Sequence, residues 1–157
     1  QRQMCIRDST KITYIFKVQN ISLKRCDHMI KCVCLVEETE NQILLVQVRN
    51  REKYYFPGGK IDEGETQLEA IQREVKEELQ LEFPQEDFTY IGTVIGDAYP
   101  QTNMLTELNG FKLQQEIDWN NVEIDNEITD IRWFDKSDTT LIAPAVIKWI
   151  ETFSERK

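Results

Sequence analysis

The segment 67–79 carries two residue patterns on one helical period, and together they restrict what the chain can build. Leu68, Ile71, Val75 and Leu79 recur at three- and four-residue steps, which marks a single apolar stripe. Glu74, Glu77 and Glu78 recur at i, i+3 and i+4, so their carboxylates share a face. At about 100° per residue, that acidic face lies beside the apolar stripe and not opposite it. Thr66 and Glu69 have the spacing of an N-cap with its capping box. Carboxylates crowded at the edge of a core repel one another, by a few tenths of a kcal/mol per exposed pair and more when partly buried. A hard divalent cation turns that cost into a site, because oxygen-only ligands suit magnesium or manganese. A lone E-x-x-E-E is most often a solvated face. Here Gly58-Gly59 precede it, Glu65 sits in the intervening loop, and Arg73 directly precedes Glu74.

Around this segment the pattern alternates between strand and turn. Residues 30–36 are mostly apolar, 38–41 read as a turn, and 42–48 form a second strand, so a hairpin is expected. Tyr54-Tyr55-Phe56 runs into Pro57-Gly58-Gly59, a break in regular structure, and 60–65 is a mainly polar loop. Strands are expected over 88–95, 104–113 and 128–134, with an acidic loop over 118–126. Pro144 suits the first turn of a closing helix whose stripe is Val146, Trp149, Ile150 and Phe153. Strands with one central and one terminal helix predict a mixed sheet between helices, an α/β/α sandwich, in one domain spanning 29–157.

Charge narrows the partners. A formal net charge of −9 repels nucleic-acid backbones, so no polymer partner is expected. It would equally repel a small phosphorylated substrate unless a divalent cation intervenes. No run approaches the roughly 20 apolar residues of a membrane helix. Cys5, Cys26, Cys32 and Cys34 fit no zinc pattern, and His28 is the only histidine. They read as reduced thiols of a cytoplasmic protein, monomer or homodimer, with Cys32 and Cys34 facing the same way along one strand. Residues 1–28 are out of character. Met4-Cys5-Ile6-Arg7-Asp8 resembles the translation of a sequencing-library adapter, and Lys24-Arg25 fits a translated ribosome-binding sequence. This stretch is expected to be a non-native or disordered extension ahead of a native start at Met29. The competing expectation is an extra strand over 12–18.

With these residues in view, the chain resembles the Nudix hydrolases. Gly59, Glu65, Arg73-Glu74-Val75 and Glu77-Glu78 follow the Nudix box nearly position by position over 59–81, and Phe56-Pro57-Gly58 is typical of MutT-like members. The resemblance implies the family's α/β/α fold and a cofactor of Mg2+, with Mn2+ as substitute. It implies metal binding by Glu74, Glu77, Glu78 and the carbonyl of Gly58. Glu65 and Arg73 would orient these carboxylates. Glu127, six residues before Trp133, would be a further metal ligand or the general base, with Glu123 and Asp125 as fallbacks. The catalytic group is thus Glu77, Glu78, Glu127 and Arg73. Lys60 is a candidate for substrate phosphate, or a solvated lysine. Gln80 departs from the family's Gly just past the helix end.

The implied activity is hydrolysis of the diphosphate linkage of a nucleoside triphosphate or a nucleoside diphosphate derivative. Tyr55, Tyr99 and Phe111 are candidates to stack on a base, against the commoner fate of strand aromatics as core. Ala143 stands where the subgroup that removes oxidised guanine nucleotides carries an amide, which lowers that role. Two other readings remain open: a nucleotide-sensing domain without catalysis, and a diphosphate isomerase on the same fold.

Overall fold

The computed structural model describes residues 29–125 and 127–154. The expectations for 1–28, including Cys5, Cys26 and His28, lie outside the described residues. The strands are β1 (Met29–Leu35), β2 (Gln42–Val48), β3 (Tyr54–Tyr55), β4 (Gly58–Lys60), β5 (Phe88–Asp97), β6 (Leu105–Leu113) and β7 (Ile128–Asp135). Among the described residues the α-helices are α1 (Gln67–Leu79) and α2 (Pro144–Ser154), with one short 3-10 turn over Gln85–Asp87.

β4, β1, β6 and β5 form a mixed sheet in that order, with β1 and β6 parallel and the other pairs antiparallel. β1 is apolar on both faces because both faces are covered. Val33 and Leu35 pack with Ile71, Val75 and Leu79 of α1. Cys34 and Val36 pack with Val146, Trp149 and Ile150 of α2. This is the expected helix–sheet–helix sandwich. Cys32 and Cys34 are free thiols.

Three expectations are corrected. β1 and β2 do not form a hairpin. β1 is bonded along both edges, by β4 and β6, which leaves no edge for β2. The turn keeps only a bridge between Glu38 and Ile43, and β2 joins β3 and β7 in a second, antiparallel sheet. Residues 58–60 are not loop but the short strand β4, with Gly58 opposite Cys34 and Lys60 opposite Cys32. Leu68 is 37% exposed, while Ala70 is fully buried. Leu68 has the angular position of the stripe but lies in the first turn of α1, beside an open groove that it lines with Phe88, Tyr90 and Phe111.

Both ends of α1 are closed locally. The Thr66 hydroxyl accepts from the Glu69 N–H at 3.2 Å, and the Glu69 carboxylate accepts from the Thr66 N–H at 2.8 Å. Gln80 takes the left-handed conformation, with φ 54° and ψ 30°. Its amide donates to the Glu77 carbonyl at 3.2 Å, occupying a carbonyl the helix leaves open. That bond offsets the cost of a side chain in this conformation, on the order of 1 kcal/mol. Gln80→Gly is therefore expected to change stability by less than about 1 kcal/mol. Turnover should stay within a few-fold; a thermal melt and a rate comparison would check both.

Candidate active site

The helix angle explains how a glutamate comes to lie against the core. At about 100° per residue, Glu78 falls between Glu74 and Ile71, on the rim of the buried stripe. Its carboxylate accepts the Gly58 N–H at 2.8 Å, tying α1 to β4. Burial, with Glu74, Glu127 and Glu77 as nearby negative charges, pushes the Glu78 carboxyl up to about 8. Glu74 sits one turn earlier with a side chain 12% exposed, and burial raises its pKa too. Gly59 makes room for it, since a Cβ there would lie 2.4 Å from the Glu74 Oε1. Glu77, 50% exposed, faces the solvent side of the same cluster.

Arg73 gathers these acids. Its Nε and Nη2 donate to both oxygens of Glu65 at 2.8 and 2.9 Å. Its Nη1 donates to Glu74 at 2.8 Å, with Glu77 at 3.5 Å, and its Nη2 also reaches the Lys60 carbonyl at 3.1 Å. The fork holds the Glu65 carboxyl below its ordinary range. Glu74 keeps its Oε2 and Glu78 its Oε1 free of these bonds. As the side chains stand, no three acidic, cysteine or histidine groups among the described residues are close enough to ligate one ion.

A cleft of about 740 Å³ runs from this cluster between the two sheets. Glu74, Glu77, Glu78 and Glu127 line it, with Gly58, Gly59 and Lys60. Tyr55, Tyr99 and Ala143 line it as well. Glu127 is ion-paired with Arg49. Neither Glu123 nor Asp125 lines the cleft; the Asp125 carboxylate lies 3.4 Å from the Gln80 amide. Phe111 is not at the cleft. It is 2% exposed and packs with Val33, Ile71 and Phe88 beneath α1, so it is a core residue.

Tyr55 and Tyr99 come together, with ring centroids 5.9 Å apart and planes tilted 41°. A sandwiched base needs two ring spacings of about 3.5–4 Å each, more than this gap allows, so stacking would use an outer ring face. Reading the sequence missed Arg49, Arg51, Asp97 and Gln101, which also line the cleft. A usable signal was present. Arg49 and Arg51 stand two residues apart at the end of a strand in a chain rich in acids.

Comparison with known proteins bears on the family and the fold. Residues 27–153 match the family model described as NUDIX domain. A human protein named 8-oxo-dGDP phosphatase NUDT18 is 43% identical over 58 residues, covering 35% of this chain and 17% of that protein. The chain thus matches only a small part of that relative's length. The E. coli ORF135 protein aligns with TM-score 0.57 and 23% identity, over 82% of this chain and 90% of that one. The E. coli dihydroneopterin triphosphate pyrophosphohydrolase aligns with TM-score 0.57 and 23% identity, over 81% and 96%. At this identity the two structures speak for the fold.

Proposed function

The chain belongs to the Nudix family, and from that premise we propose that it is a magnesium-dependent hydrolase of nucleotide diphosphate linkages. The substrate would be a nucleoside triphosphate or a nucleoside diphosphate derivative. The observation that carries this reading is the set of four glutamates lining one cleft, two of them at the edge of the core. Burying carboxylates against one another weakens a fold, and a bound cation is what recovers that cost. The donor chemistry fits magnesium or manganese. Burial raises the pKa of both Cys32 and Cys34, keeping the thiols protonated, so carboxylate and carbonyl oxygens remain. Glu74 through Oε2, Glu78 through Oε1, Glu77 and the Gly58 carbonyl would hold the ion. No helix among the described residues is long and apolar enough to cross a membrane.

A divalent cation held there supplies charge neutralisation on the diphosphate and acidifies an attacking water. Arg73 keeps Glu74 and Glu65 oriented, and the Gly58 N–H keeps Glu78 in place. Glu127 accepts the proton of the attacking water, with the Arg49 guanidinium beside it. The water oxygen bonds to one phosphorus as the anhydride P–O bond breaks. The products are a nucleoside monophosphate with pyrophosphate, or two phosphorylated halves. Lys60 adds positive charge at the cleft edge.

The testing experiment is a hydrolysis screen over nucleoside tri- and diphosphates, their 8-oxo-guanine forms and nucleotide sugars, with Mg2+ and with Mn2+. The stretch shared with the human 8-oxo-dGDP phosphatase is the reason to include the oxidised forms. The Ala143 methyl, which offers no hydrogen bond at the cleft, argues against them. Cation-dependent turnover that EDTA abolishes is expected. No turnover of any member, with nucleotide still bound, would replace hydrolysis by ligand sensing.

A further inference from the structure

Arg49, Arg73 and Arg132 are each ion-paired. Arg51 differs: among the described residues no carboxylate lies within 4.0 Å of its guanidinium, although the chain carries a net charge of −9. It is half-buried and lines the cleft. Its five N–H donors thus stand in a partly desolvated place with no carboxylate acceptor among the described residues. Beside them the Tyr55 hydroxyl is buried and makes no hydrogen bond of ordinary geometry. Arg51 is close enough to that hydroxyl to oppose the rise that burial gives the phenol.

The backbone beneath Arg51 is built to hold it. Arg49 and Asn50 both have positive φ, 49° and 54°, and the Arg51 N–H closes the turn on the Val48 carbonyl at 3.0 Å. Two consecutive residues in this region are strained when neither is glycine. Neighbours hold the backbone N–H groups of this turn and the Arg51 carbonyl. The Arg49 N–H donates to the Glu127 carbonyl at 2.8 Å, and the Asn50 N–H to the Thr129 hydroxyl at 3.0 Å. The Gln47 amide donates to the Arg51 carbonyl at 2.8 Å. Strain held in place by this many bonds positions a side chain instead of leaving it to wander in solvent.

We propose that Arg51, with the Tyr55 hydroxyl, binds a phosphoryl group of the substrate outside the scissile linkage, so that the cleft selects nucleotides ending in phosphate over those ending in a neutral sugar. This rests on the hydrolase reading above and narrows its substrate class. A guanidinium that no described carboxylate pairs, in an acidic protein, is best satisfied by an anion, and its planar fork suits phosphate oxygens. A neutral hydroxyl-rich sugar would leave the charge uncompensated.

The test uses the full chain with Mg2+, as wild type, Arg51→Ala and Arg51→Lys, on ATP, GTP, ADP-ribose and UDP-glucose. Arg51→Ala is expected to lower kcat/KM on the triphosphates by about 10- to 100-fold, mainly through KM. Hydrolysis of any sugar-terminated substrate should stay within a few-fold. Arg51→Lys should recover part of the loss, since it keeps the charge and loses the fork. Binding of inorganic tripolyphosphate, followed by calorimetry, should weaken by a similar factor in Arg51→Ala. Equal losses on both substrate types, a loss that follows the base instead of the phosphate, or unchanged tripolyphosphate binding would overturn the proposal. The calorimetric arm separates the two readings: a wild type that hydrolyses nothing yet binds tripolyphosphate through Arg51 sinks the hydrolase and keeps the anion site.

Discussion

Glu78→Gln is expected to lower turnover at least about 100-fold while the fold survives, because the amide keeps the shape and discards the charge a cation needs. The same substitution should stabilise the metal-free protein. An unfolded Glu78 ionises near 4.5, whereas in the fold its carboxyl is raised to about 8. The folded state therefore holds a proton that the unfolded state has given up, and stability falls as pH rises between those values. Stability from this group is fully present below about pH 4.5 and is lost by the time pH passes 8. Glutamine has no proton to lose. In EDTA the variant should pull ahead of wild type as pH climbs through that window, by a few kcal/mol at most, and hold its lead above it. Magnesium reverses the order, since a ligand that binds only the folded state stabilises it by mass action. Melting curves from pH 4 to 9, with EDTA or with excess Mg2+, would reveal the crossing. Wild-type turnover in the variant would remove Glu78 from the site. Melting curves that track wild type across the EDTA series would remove the buried-charge account.

That double effect could be anticipated from the sequence only in part, and the reason is physical. The bounds of α1, its cap and the shared face of Glu74, Glu77 and Glu78 are consequences of a 3.6-residue period and of bonds within a few residues. Such features are written locally. How deeply Glu78 sits depends on Gly58 arriving from β4, twenty residues away, with its N–H aimed at the carboxylate. The missed hairpin has the same origin. Residues 30–48 contain two good strands and a turn, but β6 and β4 claim both edges of β1. Competition for edges is decided by strands that lie far along the chain. Phe111 shows the limit for single residues: an aromatic on a strand looks alike from either side, and only the sheet decides that it faces α1. Arg51 was missed because its meaning is relational. It stands out once Arg49, Arg73 and Arg132 are each seen to have partners.

Gly58→Ala is expected to be the most damaging single methyl in the described structure. Gly58 has φ 135°, a conformation that costs a side-chain-bearing residue about 1–3 kcal/mol. A Cβ would also lie 2.3 Å from the Val33 carbonyl oxygen and 2.8 Å from the Cys34 Cα. Both are backbone atoms of β1, an interior strand of the sheet, and neither can rotate away as a side chain would. Relief requires β4 to part from β1, which breaks the pairing of Gly58 with Cys34. It also withdraws the N–H that holds Glu78 at 2.8 Å. Strain, lost pairing and an unpartnered carboxylate add to roughly 3–5 kcal/mol. For a domain of this size that is a fall in melting temperature of about 10–20 °C. Any protein that folds should have lost most of its activity, because the same movement displaces the Gly58 carbonyl and frees Glu78. Gly64→Ala is the matching control. It too has positive φ, at 82°, but nothing lies within 4 Å of its Cβ, so it bears conformational strain without collision. Gly58→Ala should therefore exceed Gly64→Ala by at least about 2 kcal/mol in chemical denaturation. Equal losses would mean that the close approach of β4 to β1, on which the placing of Glu78 depends, is not present in the folded protein.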